Sequence, residues 1–212
     1  MEQEGSARMV FRKCMGLAVI LLAVPALLTT PARAQTKALS NTDVSVDGFY
    51  QFSSNASGNG ITDTASKSAG GAAFLRHSYH WWLGWEAGYA YTRFTEFYTG
   101  QSFGYQHNLH EFAGSWYVHG PRALGIQPFA TVGVSALIFS PTLNGGQNVP
   151  YQARPGLNYG VGVNVPLLTS HLGVRVQYRG LLYKAPNFGE TYLTTNAWRE
   201  TSEPMAGVYL RF

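Results

Sequence analysis

Five charged residues, Asp47, Glu86, Glu111, Arg175 and Arg179, each fall on the polar side of a segment in which apolar and polar residues alternate. Alternation of that period places successive side chains on opposite faces of a β-strand. If the apolar face is the outer one, all five project into a shared interior. A buried charge costs several kcal/mol unless it is paired, and here acids and bases nearly balance. The expected chemistry is therefore an ion-pair network filling a lumen. A gate whose pairs switch to admit ions is the sharper alternative, and an acid–base role for Glu86 or Glu111 is a third.

The other candidates have plainer explanations. His77 and His80 stand beside Trp81 and Trp82, and His119 and His171 also fall at turns. A metal site at His77 and His80 is conceivable, but polar residues beside an interfacial aromatic girdle account for them better. A lipid-modifying hydrolase needs a serine, a histidine and an orienting acid together near the outer rim. Ser78 beside His77 and Ser170 beside His171 lie at the opposite end, and no serine is suitably spaced from His107 and His110. Of Trp81, Trp82, Trp85, Tyr89, Tyr91, Trp116 and Tyr117, those on the lipid face read as a girdle rather than a sugar platform. Gly160 and Gly162 sit inside an alternating strand and read as small lumen residues rather than a phosphate loop. The expectation is no catalytic residue, no metal and no cofactor.

Eight alternating segments must position these residues: 43–53, 67–76, 82–93, 107–118, 126–139, 156–165, 172–183 and 201–212. The clearest is 156–165, where Leu157, Tyr159, Val161, Val163 and Val165 oppose Asn158, Gly160, Gly162 and Asn164. The Gly/Ala-rich segment 67–76 has no assignable inside or outside. Loops at 54–66, 94–106, 140–154 and 184–200 alternate with short turns at 77–81, 119–125 and 166–171. An even strand number with long and short connections in alternation is the rhythm of an up-and-down barrel, and each segment is near the length that a tilted strand needs to cross a bilayer.

The N-terminus reads as a cleavable export signal over 1–34, leaving a single domain over 35–212. Arg12 and Lys13 precede an apolar run from Met15 to Leu28, and Ala32-Arg33-Ala34 supplies the small residues a signal peptidase reads. About 14 apolar residues are too few to cross a bilayer as a helix. The single cysteine, Cys14, lies within this segment, so a disulfide framework is excluded from the remainder. Beyond residue 34 there are 11 basic and 9 acidic residues with no basic run, which argues against nucleic acid as a partner. Low charge with abundant Gly, Tyr, Trp and Phe suits a barrel with a lipid-facing exterior and a narrow interior.

The chain resembles the small eight-stranded bacterial outer-membrane barrels typified by the OmpA transmembrane domain and OmpX. The likeness is carried by His110-Glu111-Phe112, by Gln127-Pro128-Phe129, by Val174-Arg175-Val176-Gln177-Tyr178-Arg179, and by a last strand ending in Val208, Leu210 and Phe212. It implies an all-β, eight-stranded antiparallel transmembrane barrel in the outer membrane, without a periplasmic peptidoglycan-binding domain. It further implies that Phe212, Leu210 and Val208 form the signal read by the barrel-assembly machinery. The expected partners are outer-membrane lipid, that machinery and an unidentified extracellular molecule met by four surface loops, and the expected state is a monomer. A soluble lipocalin-like barrel is the main alternative; it would reverse the sidedness of every strand. A lipid A-modifying enzyme is the lesser one.

Overall fold

A computed structural model describes residues 40–167 and 171–212. The expected signal segment 1–34 lies outside the described residues, as does Ser170. The strands are β1 (Thr42–Ser53), β2 (Ala56–Gly58), β3 (Ile61–Ala65), β4 (Ser68–Ser78), β5 (Leu83–Tyr98), β6 (Tyr105–His119), β7 (Gln127–Pro141), β8 (Gln152–Pro166), β9 (Leu172–Lys184) and β10 (Trp198–Arg211). A 3-10 turn, Thr191–Leu193, precedes β10.

Each wall strand pairs antiparallel with its neighbours in the chain, and β1 pairs with β10 to close the ring. The walls are β1, β4, β5, β6, β7, β8, β9 and β10, an eight-stranded closed barrel that leaves no open edge. At the seam Val46 faces Val208 and Val44 faces Leu210, and the backbone N–H of Phe212 donates to the carbonyl of Thr42 at 2.9 Å. The two ends of the described barrel therefore meet at one rim. The short turns after β4, β6 and β8 share that rim, here called the turn end. The longer connections define the loop end.

The first long connection is itself ordered. β2 and β3 form a hairpin through Asn59 and Gly60, both at positive φ (52° and 76°). An Asn-Gly pair matches the twist of a tight hairpin because both residues tolerate that backbone region. β3 then continues the line of β4 along β5. Ala65 opposes Glu96 while Gly70 opposes Thr92, so Ser66 and Lys67 together oppose Thr95. That two-against-one count is a β-bulge, which bends a strand and re-aims its side chains.

Alternation fixes what lies inside. Along β5, Glu86, Ala90, Thr92, Phe94, Glu96 and Tyr98 are buried, while Trp85, Tyr89, Tyr91 and Phe97 are exposed. β4 resolves in the same way, with Ala72, Phe74 and Arg76 inside and Leu75 outside. Its small residues occupy both faces, and so the sequence carries little sidedness there. Inward glycines make room for rings: a Cβ at Gly88 would collide with Phe74, and one at Gly162 with Phe129.

Several strands run further toward the loop end than their sequence boundaries. β5 reaches Tyr98 instead of 93, β8 begins at Gln152 instead of 156, and β10 at Trp198 instead of 201. The connections there contract to 99–104, 142–151 and 185–197. Pairing persists past the length a bilayer requires because the inward residues of the extensions pack on one another. Phe94, Tyr98, Tyr105, Leu137, Phe139 and Leu181 are all almost wholly buried, with Phe188 and Leu193 of the last loop folded over them.

Candidate functional site: the barrel lumen

Charged side chains fill the lumen in two layers. The larger begins at the turn end. There Arg76 of β4 donates from Nε to Glu86 Oε2 of β5 at 2.5 Å and from Nη2 to Gln177 Oε1 of β9 at 3.2 Å. Arg175 of β9 donates to Asn164 Oδ1 of β8 at 2.8 Å, to Ser45 Oγ at 2.9 Å and to Asp43 Oδ1 at 2.7 Å, the last two on β1. The Phe129 ring lies 4.1 Å from the Arg76 guanidinium carbon, a cation–π stack made possible by the missing side chain at Gly162.

One step further in, Arg179 of β9 reaches across the barrel to β6. It takes both carboxylate oxygens of Glu111 in a fork, donating from Nη2 to Oε1 and from Nη1 to Oε2, the latter at 2.8 Å, and Nη1 also donates to Glu203 Oε2 of β10 at 3.1 Å. Glu111 Oε1 also accepts from Ser135 Oγ at 2.6 Å. Ser135 in turn accepts from Asn158, whose Oδ1 accepts from Ser115 at 2.6 Å. A planar guanidinium with five donors suits this bidentate recognition, where a lysine ammonium would not.

Four of the five sequence-derived lumen residues, Glu86, Glu111, Arg175 and Arg179, thus make buried ion pairs, but not all with each other. Asp47 is buried too, yet it makes no ion pair among the described residues; it accepts a hydrogen bond from Ser45 at 2.7 Å. Asp43, Arg76 and Glu203, which the alternation does not single out, complete the layer. Of the proposed assembly residues, Val208 and Leu210 point outward from β10 and Phe212 is half-exposed at the turn end.

The second layer closes the loop end and was absent from the sequence reading. Arg199 of β10 is fully buried between two carboxylates. Its Nη1 donates to Glu96 Oε1 of β5 at 2.5 Å, and its Nη2 lies 2.7 Å from Asp63 Oδ2 of β3 and donates to the Asp63 carbonyl at 3.0 Å. Tyr98 donates its hydroxyl to Glu96 Oε2 at 2.9 Å. Two acids and one base in a dry site carry an excess of negative charge. Burial first, and then the Glu96 carboxylate, push the Asp63 carboxyl up to about 8 against the pull of Arg199.

This shift has a pH consequence. Asp63 binds its proton more tightly in the folded hairpin than in an unfolded chain, where its pKa is 3.8. The hairpin is therefore most stable below about pH 4 and loses stability as pH rises through about 8. Amide hydrogen exchange over Ile61–Ala65, corrected for its intrinsic pH dependence, should speed up across that window. Asp63→Asn should flatten the profile; a wild-type profile already flat would refute the assignment.

At the turn end the lumen opens into a vestibule of about 340 Å³, lined by Asp43, Arg76, Ser78, Tyr117, His119 and Arg211 among others. His77 and His80 do not converge: His77 meets Thr42 Oγ1 at 2.9 Å, while His80 lines the vestibule. Among the described residues no group of three or more His, Cys, Asp or Glu is placed to hold a metal ion.

The outer surface is the reverse of the lumen. Val46, Val132, Val134 and Val161 are each about 60% exposed, with Leu157, Phe112 and Val208 beside them. A water-soluble barrel would bury such a belt, and the lipocalin-like alternative is overturned by it. Only a hydrocarbon environment suits valines on the outside and arginines within. No family description and no curated protein sequence matches the chain. Solved structures do. Neisserial surface protein A is 19% identical, with 82% of this chain and 98% of that one covered and a TM-score of 0.58. The outer membrane protein OprG from Pseudomonas aeruginosa is 12% identical, with 82% and 96% covered and a TM-score of 0.57. The fold is that of the small outer-membrane β-barrels. In such a barrel the belt of outward Val, Leu and aromatic residues is the surface that meets lipid, and the Arg-rich interior is screened from it.

Proposed function

We propose that this outer-membrane barrel is a sealed scaffold rather than a pore, and that it acts by holding loops at the cell surface. The observation that carries the reading is the Arg179 tie, which joins β9 to β6 and β10 through the middle of the lumen. The Arg199 cluster stands in series with it at the loop end. The turn end, with Phe212, faces the periplasm, and the loop end faces out. Exposed apolar side chains on the loops, Phe103, Leu143, Tyr151 and Tyr192, support a contact surface there. The barrel is monomeric, works without a cofactor and is not an enzyme. Planar-bilayer recordings of the refolded barrel should show no conductance or only brief, small openings. Stable porin-like steps would reject the sealed scaffold.

The closing strand supports a second element of this proposal, that Phe212, Leu210 and Val208 are read by the assembly machinery. Half-exposed, Phe212 contributes at most about 1.5–3 kcal/mol through burial, a small loss for a closed sheet whose wall strands are each hydrogen-bonded on both sides. Deleting it should lower the outer-membrane yield in cells several-fold while refolding into detergent is unchanged. Equal loss in both would mean that it acts through stability.

A further inference from the structure

Two cations stand close together on the outside of the barrel, on the loop-end half of β5 and the bulge beside it. Arg93 points outward from β5 and Lys67 outward from the bulge beside it, and in the register Lys67 lies diagonal to Arg93. Neither has an ion-pair partner among the described residues. The neighbouring outward side chains are polar as well. Asn108 Oδ1 accepts from Arg93 Nε at 2.7 Å and from the Tyr91 hydroxyl at 3.0 Å, and Tyr89 bonds His110 Nδ1 at 2.8 Å. Only Nε of Arg93 is engaged, and the two terminal nitrogens have no hydrogen-bond partner among the described residues.

Height decides what these cations meet. From Leu83, at the turn-end start of β5, to Arg93 the strand rises roughly 33 Å at 3.3 Å per residue. Tilted by about 40°, this is about 25 Å along the membrane normal, the height of the apolar band. Arg93 and Lys67 therefore sit at the headgroup level of the leaflet on the loop side. An unpaired guanidinium and an ammonium at diagonal positions on adjacent strands match a phosphate group there, and the Tyr and Asn hydroxyl and amide groups match sugar hydroxyls.

We propose that Lys67 and Arg93, with Asn108 and His110, form a binding ledge for the phosphorylated sugar headgroup of an outer-leaflet glycolipid. The inference rests on the outer-membrane reading, because it needs the loop end to face the glycolipid leaflet. The bulge at Ser66–Lys67 is what brings the lysine onto this face. The ledge makes the lipid shell around the barrel asymmetric, with one annular position held by charge.

The test folds the barrel into phosphatidylcholine vesicles containing either phosphorylated lipid A or lipid A stripped of its phosphates. The immobilised protein is then exchanged into detergent and the retained lipid A measured. Wild type should retain the phosphorylated lipid about tenfold better than the stripped one. Lys67→Ser with Arg93→Gln should abolish that preference, and Arg93→Lys should keep most of it. If the double variant does not fold, as judged by its gel shift on boiling, the single variants carry the comparison. Equal retention of both lipids by wild type, or an unchanged preference in the variants, overturns the proposal. Loss of the preference with inorganic phosphate equimolar to the lipid, which would mark a site for free anions, also overturns it. Failure of wild type to insert into either vesicle is a separate result, and it overturns the membrane reading together with the ledge.

Discussion

Replacing Arg179 by alanine should be the most destabilising single change in the barrel, by about 3–5 kcal/mol. Glu111 and Glu203 would be left near one another in a dry lumen with no cation between them. The loss comes mainly from stranding the two carboxylates, and so it should be recovered by removing them. A triple variant, Arg179→Met with Glu111→Gln and Glu203→Gln, should return most of the stability, since a neutral packed lumen avoids the desolvation that the ion pairs offset. Urea unfolding in lipid vesicles measures both. A triple variant as weak as Arg179→Ala would mean that the arginine acts through packing instead of charge.

The second large effect belongs to Arg199. Arg199→Ala should leave Asp63 and Glu96 facing each other and release the β2–β3 hairpin from the top of β5. The wall strands remain paired along their length, so the damage should be local. Amide protection over Ile61–Ala65 should fall by a factor of about 100 or more, from the same 3–5 kcal/mol, while β7 and β8 remain protected. The Arg179 tie still crosses the lumen, and bilayer recordings should therefore stay silent. Conductance in this single variant would show that the loop-end layer is the sole seal.

The wall of the barrel was legible in the sequence because a β-strand between lipid and a filled lumen alternates strictly. Leu157 to Val165 shows this most plainly. The same alternation placed Glu86, Glu111, Arg175 and Arg179 inside. Arg76 escaped because β4 carries Gly and Ala on both faces, which erases the contrast on which sidedness depends. Glu203 escaped because it stands next to Pro204 in a strand read mainly for its apolar end. The loop-end layer was missed for a different reason. A bilayer-spanning length ends each strand short of Asp63, Glu96 and Arg199, which all lie beyond it. A signal was present: Phe94, Glu96 and Tyr98 continue the inward register of Glu86 without a turn residue between. The ion-pair partners themselves are joined across the ring and have no sequence spacing to reveal them.

The seam between β1 and β10 is the pairing for which this molecule must reach furthest along its own chain. Its paired residues lie at opposite ends of the described chain, Asp43 against Arg211 and Val44 against Leu210. Every other wall pairing joins strands linked by a single connection, apart from β1 and β4, which are linked through the small hairpin. Drawing such distant segments together costs roughly 4–5 kcal/mol of chain entropy, recovered only when the ladder forms. Until the last strand arrives, β1 presents a row of unsatisfied amides and carbonyls. A sheet formed from β1 to β9 is therefore open and adhesive until β10 pairs with both of its edges. The interval before the ring closes is when the chain depends most on being kept from the wrong neighbour.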